Sequence, residues 1–337
     1  MRSILLFPFV MSFIITILSL AGIYFGQNYW AIVFILAIHP SMDTWIGRKK
    51  PNLSKIEHSF FDGFLLLTAA AAYAIWIFCF YFFVKAPTFS DAIVVAVSGG
   101  LVMGFLGITT AHELVHRPDG VLKWAGFAML WILNYGHWGV EHVFGHHKNV
   151  ATQIDPVSAK KNETIYVYLV RAIVGSFLHS FDFEKKKPFF KSKVRLSLTI
   201  QLVINSLIFA IFGINGLIFH WTQSLVAFVL LESVEYIEHY GLARKKMDSG
   251  LFEPVNDLHS WDCDYYLTNT TLINLGYHSH HHQKPMVPYQ DLPSKVGRRL
   301  LPFGYSTMIL IAFVPPFFFM LMNPRIDHDK NQNALTA

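Results

Sequence analysis

The chain has 337 residues, of which 53% are hydrophobic and only 15% are charged, whereas soluble domains usually carry about 25% charged residues. This composition predicts an integral membrane protein. Lysine and arginine number 27 against 22 aspartates and glutamates, and in a membrane protein such an excess is typical of cytoplasmic loops rather than of nucleic-acid binding. The two cysteines, Cys79 and Cys263, cannot build a four-cysteine iron site, so a redox function would need electrons from another protein.

Six apolar stretches approach or exceed the length of about 20 residues that a membrane-spanning helix needs. The second stretch is short and crosses only if its helix continues through Asp43 and Trp45. We therefore predict an all-α integral membrane protein with about six transmembrane helices, forming a single membrane-embedded domain over residues 1–337. The predicted spans are residues 4–25, 29–46, 60–84, 91–111, 196–219 and 223–238.

Two further apolar stretches are not predicted as ordinary spans. Residues 121–138 are short and contain two glycines, which favours an interfacial or re-entrant helix. Residues 303–322 are interrupted by Pro315 and Pro316. Packing on the cytoplasmic side or in the interface is favoured for this stretch, with a seventh span as the alternative. Residues 323–337 are predicted to form a polar tail.

The distribution of basic residues predicts the orientation. With six spans both termini share a side, and the basic segments lie on that side together: 44–59, 112–195 and 239–337. The positive-inside rule makes this side cytoplasmic. The links 26–28, 85–90 and 220–222 then face the opposite side. We accordingly predict that residues 112–195 and 239–322 form cytoplasmic catalytic segments.

Ten of the 17 histidines fall in four short segments. These are His112 and His116; His142, His146 and His147; His239; and His278, His280, His281 and His282. Counted along a helix, His112 and His116 share a face, as do His142 and His146. The four segments lie at or just beyond the cytoplasmic ends of the predicted fourth and sixth spans, so the topology predicts that they converge in one site.

Imidazoles at these spacings suit iron, zinc, copper or nickel. Nine or ten histidines are too many for one ion, since a zinc ion usually takes three or four ligands, so two metal ions are indicated. Non-haem iron is favoured for a membrane site rich in neutral nitrogen ligands. Ligating histidines usually donate their second N–H to a carboxylate or carbonyl. The acids predicted for this supporting role are Glu113, Glu141, Asp155, Glu232, Glu235 and Glu238.

The histidine segments and their neighbours closely resemble the membrane alkane 1-monooxygenase (alkane hydroxylase) family, from about residue 100 to about residue 320. The hydroxylase subunits of xylene monooxygenase look similar. Generic membrane fatty acid desaturases share three histidine segments but not the one that contains His239. The matching segments are His112-Glu113-Leu114-Val115-His116, Glu141-His142-x-x-Gly145-His146-His147, Glu238-His239-Tyr240-Gly241-Leu242 and His278-Ser279-x-His281-His282.

This resemblance implies a di-iron centre on the cytoplasmic side of a bacterial inner membrane, with dioxygen as cosubstrate. It also implies rubredoxin, itself reduced by a rubredoxin reductase, as electron donor. Two positions depart from the family pattern, because Tyr277 and His280 stand where arginine and aspartate are usual, and His280 could be a spare ligand, a supporting donor or a bystander. The nine iron ligands implied by the resemblance are His112, His116, His142, His146, His147, His239, His278, His281 and His282.

The predicted reaction is hydroxylation of the terminal methyl group of an apolar hydrocarbon, n-alkane to 1-alkanol, in a dry channel. Small residues within 69–72 and 99–107 are candidate channel walls. The alternatives are a xylene-type hydroxylase of methyl-aromatics, a lipid desaturase or fatty-acid hydroxylase and, from a different class, a metal transporter. Transporters bind their cargo near the bilayer midplane on broken helices, whereas here the histidines lie at one end of the spans. The basic excess further predicts that the electron donor is acidic.

Overall fold

The computed structural model describes residues 9–49, 58–292 and 299–335. Within these ranges the chain is helical, and extended pairing is limited to three isolated bridges, so the predicted all-α class is confirmed there. Three of the described helices are long and apolar enough to cross a membrane, and a bent pair near the C-terminus could count as a fourth. The protein is therefore an integral membrane protein, as its composition predicts.

The first two helices form a hairpin. Helix α1 covers Val10–Tyr24 and helix α2 covers Trp30–Ile46, and the Trp30 indole N–H donates a hydrogen bond of 2.8 Å to the carbonyl of Leu18. Helix α2 thus continues through Asp43 and Trp45, as a second span requires, although its 17 residues reach only about 25 Å. Residues 4–8 of the predicted first span lie outside the described residues.

Helices α3 and α4 form a long pair that the sequence predicts well. Helix α3 covers His58–Lys85 and α4 covers Phe89–Val115. The hydroxyl of Thr88 accepts a hydrogen bond from the amide of Asp91 and so caps the start of α4. Gly100 lies against the helix that carries Gln223, where an added Cβ would come within 2.7 Å of the Gln223 carbonyl oxygen. The small residue therefore allows close helix packing, as is common in membranes.

The predicted fifth and sixth spans form a second hairpin, but its turn is at Gly213 and not at residues 220–222. Gly213 has φ 64° and ψ −156° inside the helical run Lys193–His239, a conformation that glycine adopts readily. The run is therefore two helices, α8 (193–212) and α9 (214–239). Asn134 joins them, since it accepts a hydrogen bond of 2.7 Å from Asn205 and donates one of 3.2 Å to Ser224.

His220 explains why the predicted turn was wrong. Its polar side chain next to Trp221 and Thr222 suggests a loop, but in the structure His220 is fully buried within α9. Its ring packs edge-on against the Trp76 indole at 5.9 Å between centroids. Packing between helices thus accommodates a histidine that local hydropathy assigns to the surface.

Two segments form shorter helices, in line with their weaker apolar character. Helix α5, Val121–Trp131, has 11 residues and rises only about 16 Å, as expected of an interfacial or re-entrant helix. Near the C-terminus, two helices meet at an angle of 118°, because Pro315 cannot donate the amide hydrogen bond that a continuous helix needs. A straight seventh span over 303–322 is therefore not formed.

The remaining helices complete the fold. Helix α13 continues through most of the predicted polar tail, of which residues 336–337 lie outside the described residues. The helices are α6 (138–149), α7 (Ile165–Glu184), α10 (Tyr266–Thr271), α11 (His278–Gln283), α12 (Tyr305–Ala312) and α13 (Pro315–Leu335).

Helix α7 lies within the segment predicted to be cytoplasmic, where the sequence analysis assigns no helix. Its hydroxyl cap is Thr164, which accepts from the amide of Val167. Arg171 points inward and bonds Glu163 at 2.7 Å. The outer face is apolar and exposed, as Val170 and Leu178 show. The helix thus presents an apolar surface of the kind that lies against lipid.

Asp43 ties the histidine-bearing C-terminal segment to α2. Its carboxylate is fully buried and accepts hydrogen bonds from the amide and the hydroxyl of Thr268, at 3.0 and 2.5 Å. The Thr268 hydroxyl in turn accepts from the amide of Tyr305 at 3.2 Å. This network fixes α10 and the start of α12 against the end of α2, and so positions the loop that carries α11.

Candidate metal centre

All nine histidines that the sequence singles out converge on one buried region, at the ends of α4 and α9 and on α6 and α11. Each is at most 8% exposed. The convergence predicted from topology is therefore observed. His280 is only partly buried and belongs to neither group of converging nitrogen atoms, because it lies on the other face of the short helix α11.

The nine side chains separate into two groups, within each of which one nitrogen atom per ring lies within 4.8 Å of all the others. Such spacing is what imidazoles around a single ion would show. The first group, hereafter the five-histidine group, consists of His112, His116, His142, His147 and His281. The second, the four-histidine group, consists of His146, His239, His278 and His282.

A turn of π-helix decides which group each α6 histidine joins. In a regular α-helix His142 and His146 would share a face, but residues His142–His146 form a π-helical turn, a wider turn often found at functional sites. His142 and His147, five residues apart, consequently bring their Nε2 atoms to 3.2 Å. His146 turns to the four-histidine group, so the predicted pairing of His142 with His146 is replaced.

The facing nitrogen atoms of each group are arranged as a shared cation would require. In the four-histidine group the Nε2 atom of His278 lies 3.0 Å from that of His239 and 2.9 Å from that of His282. In the five-histidine group the buried Nε2 atoms of His112 and His116 have no hydrogen-bond partner within the described part of the chain. Buried polar atoms are normally paired, and several lone pairs that converge on one point are satisfied together by a metal ion.

The opposite ring nitrogens of several histidines are held by acceptors. His146 Nδ1 donates to Asp155 at 2.9 Å, and His239 Nδ1 donates to the backbone carbonyl of His259 at 3.2 Å. His278 Nδ1 lies 3.2 Å from Glu238. Protonation at Nδ1 leaves the Nε2 lone pair free, and such partners orient the ring of a ligating histidine.

Asp155 is a rigid acceptor. Its carboxylate also accepts hydrogen bonds from the Ser158 hydroxyl at 2.6 Å and from the amide of Val157 at 3.1 Å. Burial alone would favour the neutral acid, but the His146 ring and these donors hold the pKa of Asp155 below its ordinary value. The group is therefore a carboxylate that can accept the His146 proton.

Burial keeps the ligand-type histidines of α11 neutral. Removal from water, followed by the neighbouring imidazoles, lowers the pKa of both His281 and His282 well below the usual value for histidine. Only a neutral imidazole offers a lone pair to a metal.

The predicted supporting acids differ in what they contact. Asp155 and Glu238 bond ligand-type histidines as described. Glu113 instead forms an ion pair of 3.0 Å with Arg117 and accepts a hydrogen bond of 3.3 Å from the amide of Tyr289. Glu141 accepts from His179 at 3.0 Å, a histidine outside both groups.

Glu235 and Glu232 also take distinct places. One oxygen of Glu235 lies 3.4 Å from His142 Nδ1 and the other 3.2 Å from His146 Nε2, so this carboxylate touches both groups. Glu232 accepts from the Tyr135 hydroxyl at 2.7 Å and supports the packing of α9. Sequence spacing alone does not distinguish the place of Glu235 from that of the other acids.

An apolar cavity ends at the histidines. At one end it is bounded by His112, His278 and Glu235, and at the other by Gly104 and Leu230. Gly104 lies eight residues before His112 on α4, or about 12 Å along the helix axis. The cavity thus extends from the five-histidine and four-histidine groups into the helical bundle. Of the two predicted channel walls, 99–107 contributes to its lining and 69–72 does not.

Comparison with known proteins decides the family. The sequence profile of the fatty acid desaturase family matches residues 87–312. Alkane 1-monooxygenase 2 of Alcanivorax borkumensis is 35% identical over 320 residues, which covers 89% of this chain and 84% of that protein. The chain belongs to the alkane 1-monooxygenase family.

Two further relatives show how similarity to this chain falls off outside the alkane 1-monooxygenases. The alkane 1-monooxygenase of Acinetobacter baylyi is 32% identical over 333 residues, or 91% of this chain and 80% of that protein. The xylene/toluene monooxygenase hydroxylase component XylM of Pseudomonas putida is 22% identical over 225 residues, or 64% of this chain and 59% of that protein. The resemblance noted in the histidine segments is thereby confirmed, and the chain is an oxidoreductase of the alkane 1-monooxygenase family.

The structure of this family member adds two supporting residues that the sequence analysis does not assign. The Tyr305 hydroxyl donates to Glu238 at 2.5 Å, so Tyr305, Glu238 and His278 form one chain of contacts. Asp262 accepts from the amide and hydroxyl of Ser279, at 2.7 and 2.8 Å, and thereby caps the start of α11. The sequence signal for Tyr305 is the segment Leu301-Pro302-x-Gly304-Tyr305, which also resembles the alkane 1-monooxygenase family.

Proposed function

We propose that this protein is a di-iron monooxygenase that converts an n-alkane to the corresponding 1-alkanol. In this proposal the five-histidine group holds one iron ion and the four-histidine group holds the other. The observation that supports it most directly is the position of the two histidine groups at the end of an apolar cavity. In each group the buried imidazole nitrogens are close enough to bind one metal ion. The relatives named alkane 1-monooxygenase supply the reaction class.

The overall reaction consumes one hydrocarbon, one dioxygen, two electrons and two protons. One oxygen atom is inserted into a C–H bond of the terminal methyl group, and the other leaves as water. Two irons bound by the nine histidines would supply the dioxygen chemistry, for which imidazole donors are suitable ligands.

The protein's own side chains bind and orient the substrate. The apolar walls at Phe105, Leu230 and Ile309 would take up the alkane chain and exclude water from the reacting end. His112 and His278, which close the cavity, would then lie next to the terminal methyl group. Asp155 and Glu238 would keep the His146 and His278 rings in register by accepting their Nδ1 protons.

We further propose six spans, formed by the helix pairs α1–α2, α3–α4 and α8–α9, in a bacterial inner membrane. The three pairs account for the long apolar segments, and the basic segments then lie on the side of the histidines. By the positive-inside rule this is the cytoplasmic side.

The electrons are proposed to come from rubredoxin, itself reduced by a rubredoxin reductase. Both cysteines of this chain are buried and free, and two cysteines cannot hold an iron site of the four-cysteine kind. A second protein must therefore deliver the electrons. Lys148 and Lys284 are exposed, and Lys148 directly follows His147, which belongs to the five-histidine group. These two lysines would favour the docking of an acidic donor.

Turnover with an acidic rubredoxin is therefore expected to fall at least about tenfold as ionic strength rises from about 0.01 to about 1 M, since the Debye length shrinks from about 30 to about 3 Å. Steady-state rates at limiting donor concentration measure this. The double change Lys148→Gln, Lys284→Gln should flatten the salt dependence. Lys85→Gln, on the opposite side in the proposed topology, should leave it intact. A salt-independent rate would rule out the docking proposal.

Product analysis tests the function itself. The chain would be expressed with a rubredoxin and its reductase and given n-alkanes of graded length and a methyl-aromatic, with products separated by gas chromatography. Terminal alcohols from n-alkanes are the expected result. Conversion of the methyl-aromatic alone would favour a xylene-type activity. Desaturated or hydroxylated membrane lipids with unchanged alkanes would favour the desaturase or fatty-acid hydroxylase alternative.

The length of the cavity is expected to set the preferred chain length. Leu230→Trp places a larger ring at the end farthest from His112 and His278, so longer n-alkanes should lose their share of product while shorter ones keep theirs. Leu230→Ala should shift the product ratio in the opposite direction. The measurement is the ratio of 1-alkanols formed from an equimolar alkane mixture, which does not depend on expression level. Identical ratios in both variants would place the substrate elsewhere.

A further inference from the structure

A second groove lies between helices α7, α8 and α9, apart from the cavity that ends at the histidines. It has a volume of about 560 Å³ and is lined largely by apolar side chains. Leu202 and Trp221 stand at its rim and are 68% and 50% exposed, on the hairpin that carries the apolar spans. The groove therefore opens toward the hydrocarbon of the membrane.

Among the polar side chains that line this otherwise apolar groove, three have a buried atom without a hydrogen-bond partner among the described residues. His137 and Gln201 are 5% and 6% exposed. The Nε2 atom of His137, the Oε1 atom of Gln201 and the Oδ1 atom of Asn205 are buried without a hydrogen-bond partner among the described residues. Leaving such atoms unpaired in an apolar environment is costly.

Hydrogen bonds within the protein pair only some of the polar atoms of these side chains. The amide N–H groups of Asn205 donate to Asn134 and to the backbone carbonyl of Gln201, both at 2.7 Å. The bond to Asn134 holds α8 to the α5–α6 turn, as polar residues between membrane helices often do. Both bonds leave the two amide oxygens, which are acceptors only, without a partner among the described residues, in two side chains that line the groove.

The polar lining defines the chemistry of an occupant. Two free amide oxygens call for a ligand that donates from O–H or N–H. Among the described side chains that line the groove there is no lysine, arginine, aspartate or glutamate, so a charged head group would find no counter-ion. A plain alkane would leave the amide oxygens unpaired. A neutral hydroxyl on an apolar chain can donate one hydrogen bond to either amide oxygen and needs no counter-ion.

We propose that this groove binds a single-chain primary alcohol from the membrane, with its hydroxyl at Gln201 and Asn205. The chain of the alcohol lies along the hairpin between Leu217 and Phe228, two lining residues separated by about 16 Å of helix. The alcohol enters between Leu202 and Trp221.

The groove is adjacent to the metal centre. Tyr135 lines it and donates its hydroxyl to Glu232, which precedes Glu235 by less than one turn of α9. A 1-alkanol formed at the histidines is the alcohol that the proposed function makes available here. That identification depends on the proposed function, whereas binding to the groove does not require turnover.

Photocrosslinking of the full-length protein in lipid nanodiscs tests the site. The probe is a straight-chain primary alcohol with a diazirine in its chain, applied without electron donor, and the labelled peptides are identified by mass spectrometry. Labelling of α8 and α9 around residues 198–228 is expected. An excess of 1-dodecanol should compete, whereas n-dodecane and dodecanoate should compete several-fold less well. Equal competition by the alkane or by the carboxylate contradicts the proposal, as does labelling confined to other helices.

Two variants sharpen the test. Gln201→Leu removes one acceptor and should weaken competition by 1-dodecanol about fivefold, the size expected for one hydrogen bond. Thr199→Val, a matched polar-to-apolar change on the same helix but outside the groove, should have no effect. Val174→Phe at the exposed rim should block labelling by filling the groove. If Gln201→Leu is poorly folded, the Val174→Phe result decides, and unchanged labelling there rejects the site. In either case alkane turnover by the parent chain tests the proposed function separately.

Discussion

Replacing His239 with alanine is expected to abolish alkanol formation, with a loss of more than about 100-fold, because even residues that only support a metal ligand cost 10–100-fold when they are removed. His239 is the one member of the four-histidine group contributed by the long helix α9. Its loss leaves three nitrogen donors on that side. Alkanol formation by gas chromatography and iron content per protein chain would measure the effect.

His280→Ala is the matched control for that change. His280 lies in the run His278–His282 but outside both groups, so its replacement should change activity by less than about twofold and leave iron content unaltered. The sequence analysis leaves its role open, and this variant resolves it. If His239→Ala retained full activity and iron, the assignment of the four-histidine group would be wrong.

Replacing Asp155 with asparagine is expected to lower activity about 10–100-fold while the protein remains folded. Asp155 Oδ2 accepts the Nδ1 proton of His146 at 2.9 Å. An asparagine is uncharged and can turn its NH₂ group toward the ring, which would favour the wrong tautomer. Iron affinity should fall with activity, and titration of the metal-depleted protein with Fe²⁺ would measure it.

Glu141→Gln provides the comparison for Asp155. Glu141 is also a buried acid next to a ligand-type histidine in sequence, but its bonded partner is His179. Its replacement should leave iron affinity close to that of the parent chain. Equal losses in the two variants would show that burial of a charge matters here, and not the bond to His146.

The sequence predicts that the histidines converge in one site, but it does not predict which histidines share a metal-binding group. Regular spacing and the side on which the spans end are enough to bring the four segments together. The π-helical turn at 142–146 has no local signature in the residues there, so the change of partner from His146 to His147 emerges only from the packed structure. Which carboxylate contacts which ring is likewise a tertiary property, and Glu113 and Glu141 consequently contact other residues.

The span boundaries show a second limit of sequence reasoning. A hydropathy pattern averages over a window and overlooks a hairpin turned by a single glycine, so it assigned the break to polar His220 instead of Gly213. Helix α7 was not predicted because of the polar residues in and around it. Its inward Arg171 and the neighbouring lysines of that segment make the region look like a polar loop, while its exposed apolar face becomes visible only when the helix is in place.

One feature of the metal centre constrains how this protein can change. His146 and His147 are consecutive residues on α6, as are His281 and His282 on α11, yet the members of each pair belong to different groups. The distance between the two groups is thus set by the separation of adjacent residues on each of the two helices. A residue inserted in either helix would move both sets of donors out of register at once, whereas the loops between the helices can vary in length without altering that distance.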